Sequence, residues 1–107
     1  MSETSTIVTP ALCALNGIPG VWARRLQSGQ VKVRGAWMHL GAKGAPDFFA
    51  VVRGRAVFFE AKLAGEKTTP EQVAEHRRIA RAGAQTFVVR SVREAVDVVR
   101  EMLREEP

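Results

Sequence analysis

The chain is 107 residues long, 46% hydrophobic and 25% charged, a balance that suits one globular domain and excludes a disordered or fibrous segment. Sixteen lysines and arginines against eleven aspartates and glutamates leave a formal net charge of +5, which suits a polyanionic partner without proving one. No apolar run is long enough to span a membrane, the N-terminus lacks the basic start and apolar stretch of a signal peptide, and a lone cysteine, Cys13, excludes an internal disulfide. These features lead us to expect a cytoplasmic protein, with Cys13 as a small buried hydrophobe rather than a catalytic thiol.

In chain order, residues 1–6 are polar and expected to fray. Thr9-Pro10 reads as an N-cap with proline in the first turn of a helix that Asn16-Gly17 ends. Ile7 and Val8 could extend that helix backwards only if Pro10 distorts it. Residues 21–26 form a predicted strand, 27–30 a hairpin connection, and 31–34 a second strand alternating apolar and basic residues. Arg24, Lys32 and Arg34 would then share one basic face, either solvated or bound to a polyanion. Residues 37–40 continue or add a strand, with Trp37 packing at the core or rim in preference to stacking on a base. Gly41 to Pro46 form a small-residue loop whose glycines permit close approach to a ligand, and whose expected job is to shape the entrance to the carboxylates. It lacks the Gly-Lys-Ser/Thr and following helix of a phosphate-binding loop.

Two apolar runs, 48–52 and 56–59, flank Arg53-Gly54-Arg55 and read as a tight β-hairpin. With a two-residue turn at Arg53-Gly54, Val52 faces Arg55, Phe49 faces Phe58 and Asp47 faces Glu60. The two carboxylates would then lie across the ladder with Cβ atoms about 4.5–5.5 Å apart, and Lys62 would point to the same side. Like charges in that position repel, and a divalent cation such as Mg²⁺ or Mn²⁺ between them removes the repulsion. The plainer alternative is a surface hairpin in which Asp47 caps a turn and Glu60 and Lys62 form a solvated pair.

Thr69-Pro70-Glu71-Gln72 starts the next helix as a capping box, and Gly83 stops it. Its inward face carries Gln72, Val73, His76, Ile79 and Ala80, while Arg77, Arg78 and Arg81 face away. Gln72 either caps the helix or serves the site, and His76 is either a satisfied core histidine or a site residue. Residues 86–90 form a strand that the crossover rule places parallel to the Glu60 strand. Ser91 with Glu94 forms a second capping box, and Val92, Ala95, Val96, Val99, Met102 and Leu103 give the closing helix an apolar stripe for core packing or a dimer surface.

Pro46-Asp47 followed by Glu60-Ala61-Lys62 on the next strand resembles the PD-(D/E)XK nuclease superfamily. More narrowly, Gly44-Ala45-Pro46-Asp47, Phe58-Phe59-Glu60-Ala61-Lys62, Thr69-Pro70-Glu71-Gln72, Ala82-Gly83-Ala84 and Val88-Val89-Arg90-Ser91-Val92 resemble the VRR-NUC family. The resemblance covers nearly all of residues 20–99. It implies an α/β fold with a restriction-endonuclease-like core (αβββαβ), a mixed central sheet flanked by helices, and a C-terminal helix, all in a single domain over residues 1–107. By the same resemblance Asp47, Glu60 and the Ala61 carbonyl would hold Mg²⁺ or Mn²⁺, Lys62 would position the attacking water, and Gln72 would help organise the site. Family members often add an acid from the first helix; the only upstream acid is Glu3. The implied activity is metal-dependent hydrolysis of DNA phosphodiester bonds, leaving a 5′-phosphate and a 3′-hydroxyl. Branched DNA such as four-way junctions is the implied substrate and a homodimer the implied assembly, with no membrane and no organic cofactor. The alternatives are a flap, nick or linear-duplex endonuclease with the same site, or an inactive DNA-binding module.

Overall fold

A computed structural model describes residues 2–26, 29–40 and 43–105, with backbone only over 29–31 and 37–40. A π-helical turn, Thr4–Val8, leads directly into α1, Thr9–Asn16. Among the described residues six strands follow in chain order: β1 Val21–Arg25, β2 Gly29–Val33, β3 Ala36–Leu40, β4 Phe48–Val52, β5 Arg55–Ala61 and, after α2 Pro70–Arg81, β6 Gln85–Val89. Helix α3, Val92–Arg104, closes the chain.

Four strands form the main sheet in the order β1-β4-β5-β6. The β1–β4 and β4–β5 pairs are antiparallel and β5–β6 is parallel, as the crossover rule requires. Alternation along the strands sends Phe48, Ala50 and Val52 of β4 and Val57, Phe59 and Ala61 of β5 to one face, where all six are buried. Ile7, Val8, Ala11 and Leu15 cover that face from the N-terminal helix, and Ala95 and Val99 cover it from α3. The stripe expected on α3 is therefore core packing. Phe48 and Phe59 stack at its centre, ring centroids 4.8 Å apart. Among the described residues no helix is long and apolar enough to cross a membrane.

Several expectations are corrected. The N-terminal helix starts at Glu3, not at a Thr9 cap: Thr9 donates its backbone N–H to the Thr4 carbonyl in a wide i→i−5 turn. That widening relieves the clash Pro10 would make with the carbonyl one turn earlier, so the helix passes through the proline. Strand β1 does not form a hairpin with β2. It pairs with β4, while β2 pairs with β3 in a separate two-stranded sheet around Arg34-Gly35, both at positive φ. Arg24 and Lys32 thus lie in different sheets and Arg34 sits in a turn, so the three do not make one basic face. Cys13 is exposed, on the outer side of α1. Ala80 is also exposed. Glu94 accepts from Arg90 N–H, one residue before the Ser91 cap, so the second capping box is only half formed. The readings of Trp37, of Gln27-Ser28 and of Gly41 concern side chains or residues outside those described.

Candidate active site

The hairpin that positions the carboxylates has the expected register: Val52 pairs with Arg55, Phe49 with Phe58 and Phe48 with Phe59. Arg53 (φ 49°) and Gly54 (φ 83°) are both left-handed, the conformation of a two-residue type I′ turn. At the open end of this ladder Asp47 is held three ways. Its N–H donates to the Phe59 carbonyl at 2.9 Å, its carbonyl accepts from Leu26 N–H at 3.0 Å, and its Oδ2 accepts from Ala61 N–H at 2.7 Å. The Asp47 carboxylate therefore stands in for a backbone acceptor at the end of β4. It is turned onto β5 rather than left free in a plain cross-strand pair.

Glu60 sits beside it, only 2% exposed. Burial pushes its carboxyl up from 4.5 to about 9, and the hydrogen bond and charge of Asp47 add to the rise. The Lys62 charge opposes that rise, and Glu3 adds to it. Lys62 is itself 8% exposed, so a basic side chain whose charge is felt at Glu60 is held out of bulk water. Glu3 is half-buried on the N-terminal helix, close enough for its charge to be felt at Glu60. The helix that Pro10 had made doubtful brings it there.

Helix α2 approaches from the side of the sheet opposite α1 and α3, packing on β6. Its start is a full capping box: Thr69 Oγ1 accepts from Gln72 N–H at 3.2 Å, and Gln72 Oε1 accepts from Thr69 N–H at 2.9 Å. Gln72 thus spends its carbonyl oxygen on the cap and keeps its amide N–H groups for other partners. Gly44, at φ +84°, lies against the Glu71 carbonyl and the Gln72 N–H, where any Cβ would collide with the helix. The close approach this glycine permits is to the start of α2, on which the Asp47 loop docks.

One turn further along α2, His76 Nε2 lies 3.2 Å from Glu60 Oε1. The spacing from Gln72 had placed His76 inward, but a contact with the buried acid depends on tertiary packing that no local pattern encodes. Burial holds the imidazole below its ordinary 6.5, and the nearby Lys62 charge lowers it further against the pull of Asp47 and Glu75. It is the neutral ring that meets Glu60 at neutral pH.

The donor set suits a hard divalent cation. Two acids packed together, one kept protonated by the other and by burial, are what a doubly charged ion relieves. Among the described residues no group of three or more histidine, cysteine, aspartate or glutamate side chains forms a metal cage. Mg²⁺ does not need one, since one or two carboxylates, a carbonyl, water and substrate oxygens complete its shell.

Comparison with known proteins bears on the fold. No family model matches the chain. A curated protein of Acyrthosiphon pisum secondary endosymbiont phage 1, described as "Putative nuclease p44", is 42% identical over 52 residues. That match takes in 48% of this chain and 56% of the phage protein, so the chain spans about half the length of the relative. A solved structure described as "VRR_NUC domain" superposes with a TM-score of 0.65 and 24% identity, over 94% of this chain and 97% of the other. The four-stranded mixed sheet between α1 and α3 on one side and α2 on the other is that of a VRR_NUC domain, the restriction-endonuclease-like fold.

Proposed function

We propose that the chain is a VRR-NUC-type, metal-dependent DNA endonuclease whose site is Asp47, Glu60, the Ala61 carbonyl and Lys62. The observation that carries this reading is the Glu60 carboxyl, 2% exposed and raised to about 9 beside Asp47. A structural acid so placed would cost stability with nothing in return, whereas a cation ligand gains its function from the same strain. The name of the phage relative and the shared fold support the reading.

Asp47, Glu60 and the Ala61 carbonyl would hold Mg²⁺ or Mn²⁺, with Glu3 joining from the N-terminal helix. When bound, the cation would supply a lowered water pKa and charge neutralisation at the phosphate. Lys62 orients the attacking water and stabilises negative charge developing on the phosphoryl oxygens. Asp47 is kept in place by the Ala61 N–H, and Glu60 by His76. Gln72 fixes the start of α2 and, through Gly44, the loop that presents Asp47. Branched DNA is the substrate we favour, cut by a two-fold dimer whose paired sites address two strands.

A panel of labelled four-way junctions, flaps, nicked and linear duplexes, incubated with Mg²⁺ or with EDTA, tests this. Cleavage should require the cation and favour the branched substrates. Asp47→Ala and Glu60→Ala should lower cleavage by about a thousandfold or more while DNA binding persists. Equal cutting of linear duplex would discard the junction preference. Unchanged cutting by either variant would overturn the site.

A further inference from the structure

The sheet face that carries Glu60 continues away from the carboxylates as a strip of aromatic and basic side chains. Phe58 precedes Glu60 by two residues on β5 and so points to the same side. Across the ladders Phe58 pairs with Phe49, and Phe49 with Arg24. The Phe49 and Phe58 centroids lie 6.0 Å apart, and Trp22 meets Phe49 edge-on at 5.7 Å. The Arg24 guanidinium carbon sits 4.5 Å from the centre of the Trp22 ring. Arg24 is fixed there by donating to the Ala23 carbonyl at 2.7 Å and to Asn16 Oδ1 at 3.4 Å. Trp22 nevertheless remains 48% exposed. Helix α2 leaves it uncovered because that helix lies over β6, at the far side of the sheet from β1.

We propose that Trp22 and Arg24 form a stacking platform for a nucleobase that is not stacked within a duplex. The inference rests on the nuclease reading and sharpens it: the substrate class is DNA that exposes the flat face of a base. Away from its ends an intact duplex presents only base edges and backbone, so a preorganised indole has nothing there to stack on. Unpaired bases at a flap, a single-stranded tail or a branch point do offer that face. The adjacent guanidinium adds attraction for the phosphates that accompany the base, in a chain of net charge +5. By sheet spacing the platform stands roughly 16 Å from Glu60 on the same face, within reach of one DNA strand passing over both. A second copy is the poorer occupant, because a two-fold contact centred on Trp22 would press Arg24, on the same face, against its own counterpart.

Binding in EDTA separates this from catalysis. Four fluorescent DNAs of matched length serve as probes: a blunt duplex with both ends closed by non-nucleotide linkers, a single strand, a flap and a four-way junction. Trp22→Ala should weaken binding of one or more of the three base-exposing DNAs by about 10- to 100-fold while leaving the blunt duplex within about twofold. The pattern of loss identifies which source of bases the platform reads, and Trp22→Phe should restore most of it. Trp22 and Trp37 are the only tryptophans, so in a Trp37→Phe background a single-stranded oligonucleotide should also quench Trp22 emission. Equal loss on all four DNAs, no loss on any, or a fall in oligomer size with Trp22→Ala would overturn the proposal. Cleavage of the same DNAs by the wild-type chain in Mg²⁺ reports on the nuclease reading alone, so the two can fail separately.

Discussion

The two faces of the main sheet are built from alternate residues of the same strands and have opposite characters. The face beneath α1 and α3 is closed, with Phe48, Phe59, Val57 and Val89 buried in an apolar layer. The face toward α2 is packed by that helix over β6 and left open toward β1, where Trp22 keeps substantial exposure, and it holds Glu60 next to Lys62 and His76. One residue of register separates a side chain that stabilises the fold from one that strains it. Phe59 and Glu60 are neighbours in sequence, both essentially solvent-free, yet only Glu60 carries a group whose burial opposes its charge. The apolar core is concentrated on one side of the sheet and the candidate site on the other.

The contrast can be broken by substitution. Phe59→Ala, on the closed face, should destabilise the protein by about 3–5 kcal/mol through lost burial and the cavity left beside Phe48. Denaturant unfolding measures this, and a cost near zero would show that the closed face is not the source of stability. On the open face, His76→Ala should leave stability nearly unchanged and weaken divalent-cation binding by about 10- to 100-fold, because Glu60 loses the partner that orients it. Direct Mn²⁺ titration is the measurement, and His76→Gln, which can still donate to Glu60, should recover part of the loss. A large fall in unfolding midpoint with unchanged cation affinity would make His76 a core residue after all.

What the sequence made legible follows from how local each signal is. The β4–β5 register was readable because Arg53-Gly54 ties it to a two-residue turn, and the start of α2 because Thr69, Pro70 and Gln72 are a self-contained cap. The partner of β1 was not readable. Its bonds run to β4 across more than twenty intervening residues, and the nearer hairpin signal at 27–30 pointed elsewhere. Glu3 was obscured by Pro10, whose usual helix-breaking effect is absorbed by the π turn. Asp47 was located by its motif, but not the turn of its carboxylate onto Ala61 N–H, which depends on where the ladder runs out. The exposure of Trp22 was hidden for a related reason: a large aromatic in a predicted strand reads as core until the uncovered face of the sheet is known.

The central claim is that Asp47 and Glu60 share a cation, and that burial keeps a proton on Glu60 until the cation arrives. With the carboxyl raised to about 9, that proton is present at pH 7.5 and must leave before Glu60 can act as a ligand, so affinity should rise with pH up to about 9. Calorimetric titration of the chain with Mn²⁺ at pH 7.5, in two buffers of different ionisation enthalpy, counts the protons released. The account predicts close to one proton per cation for the wild type, and none with weaker binding for Glu60→Gln. Cation binding without proton release, equally tight in Glu60→Gln, would contradict it.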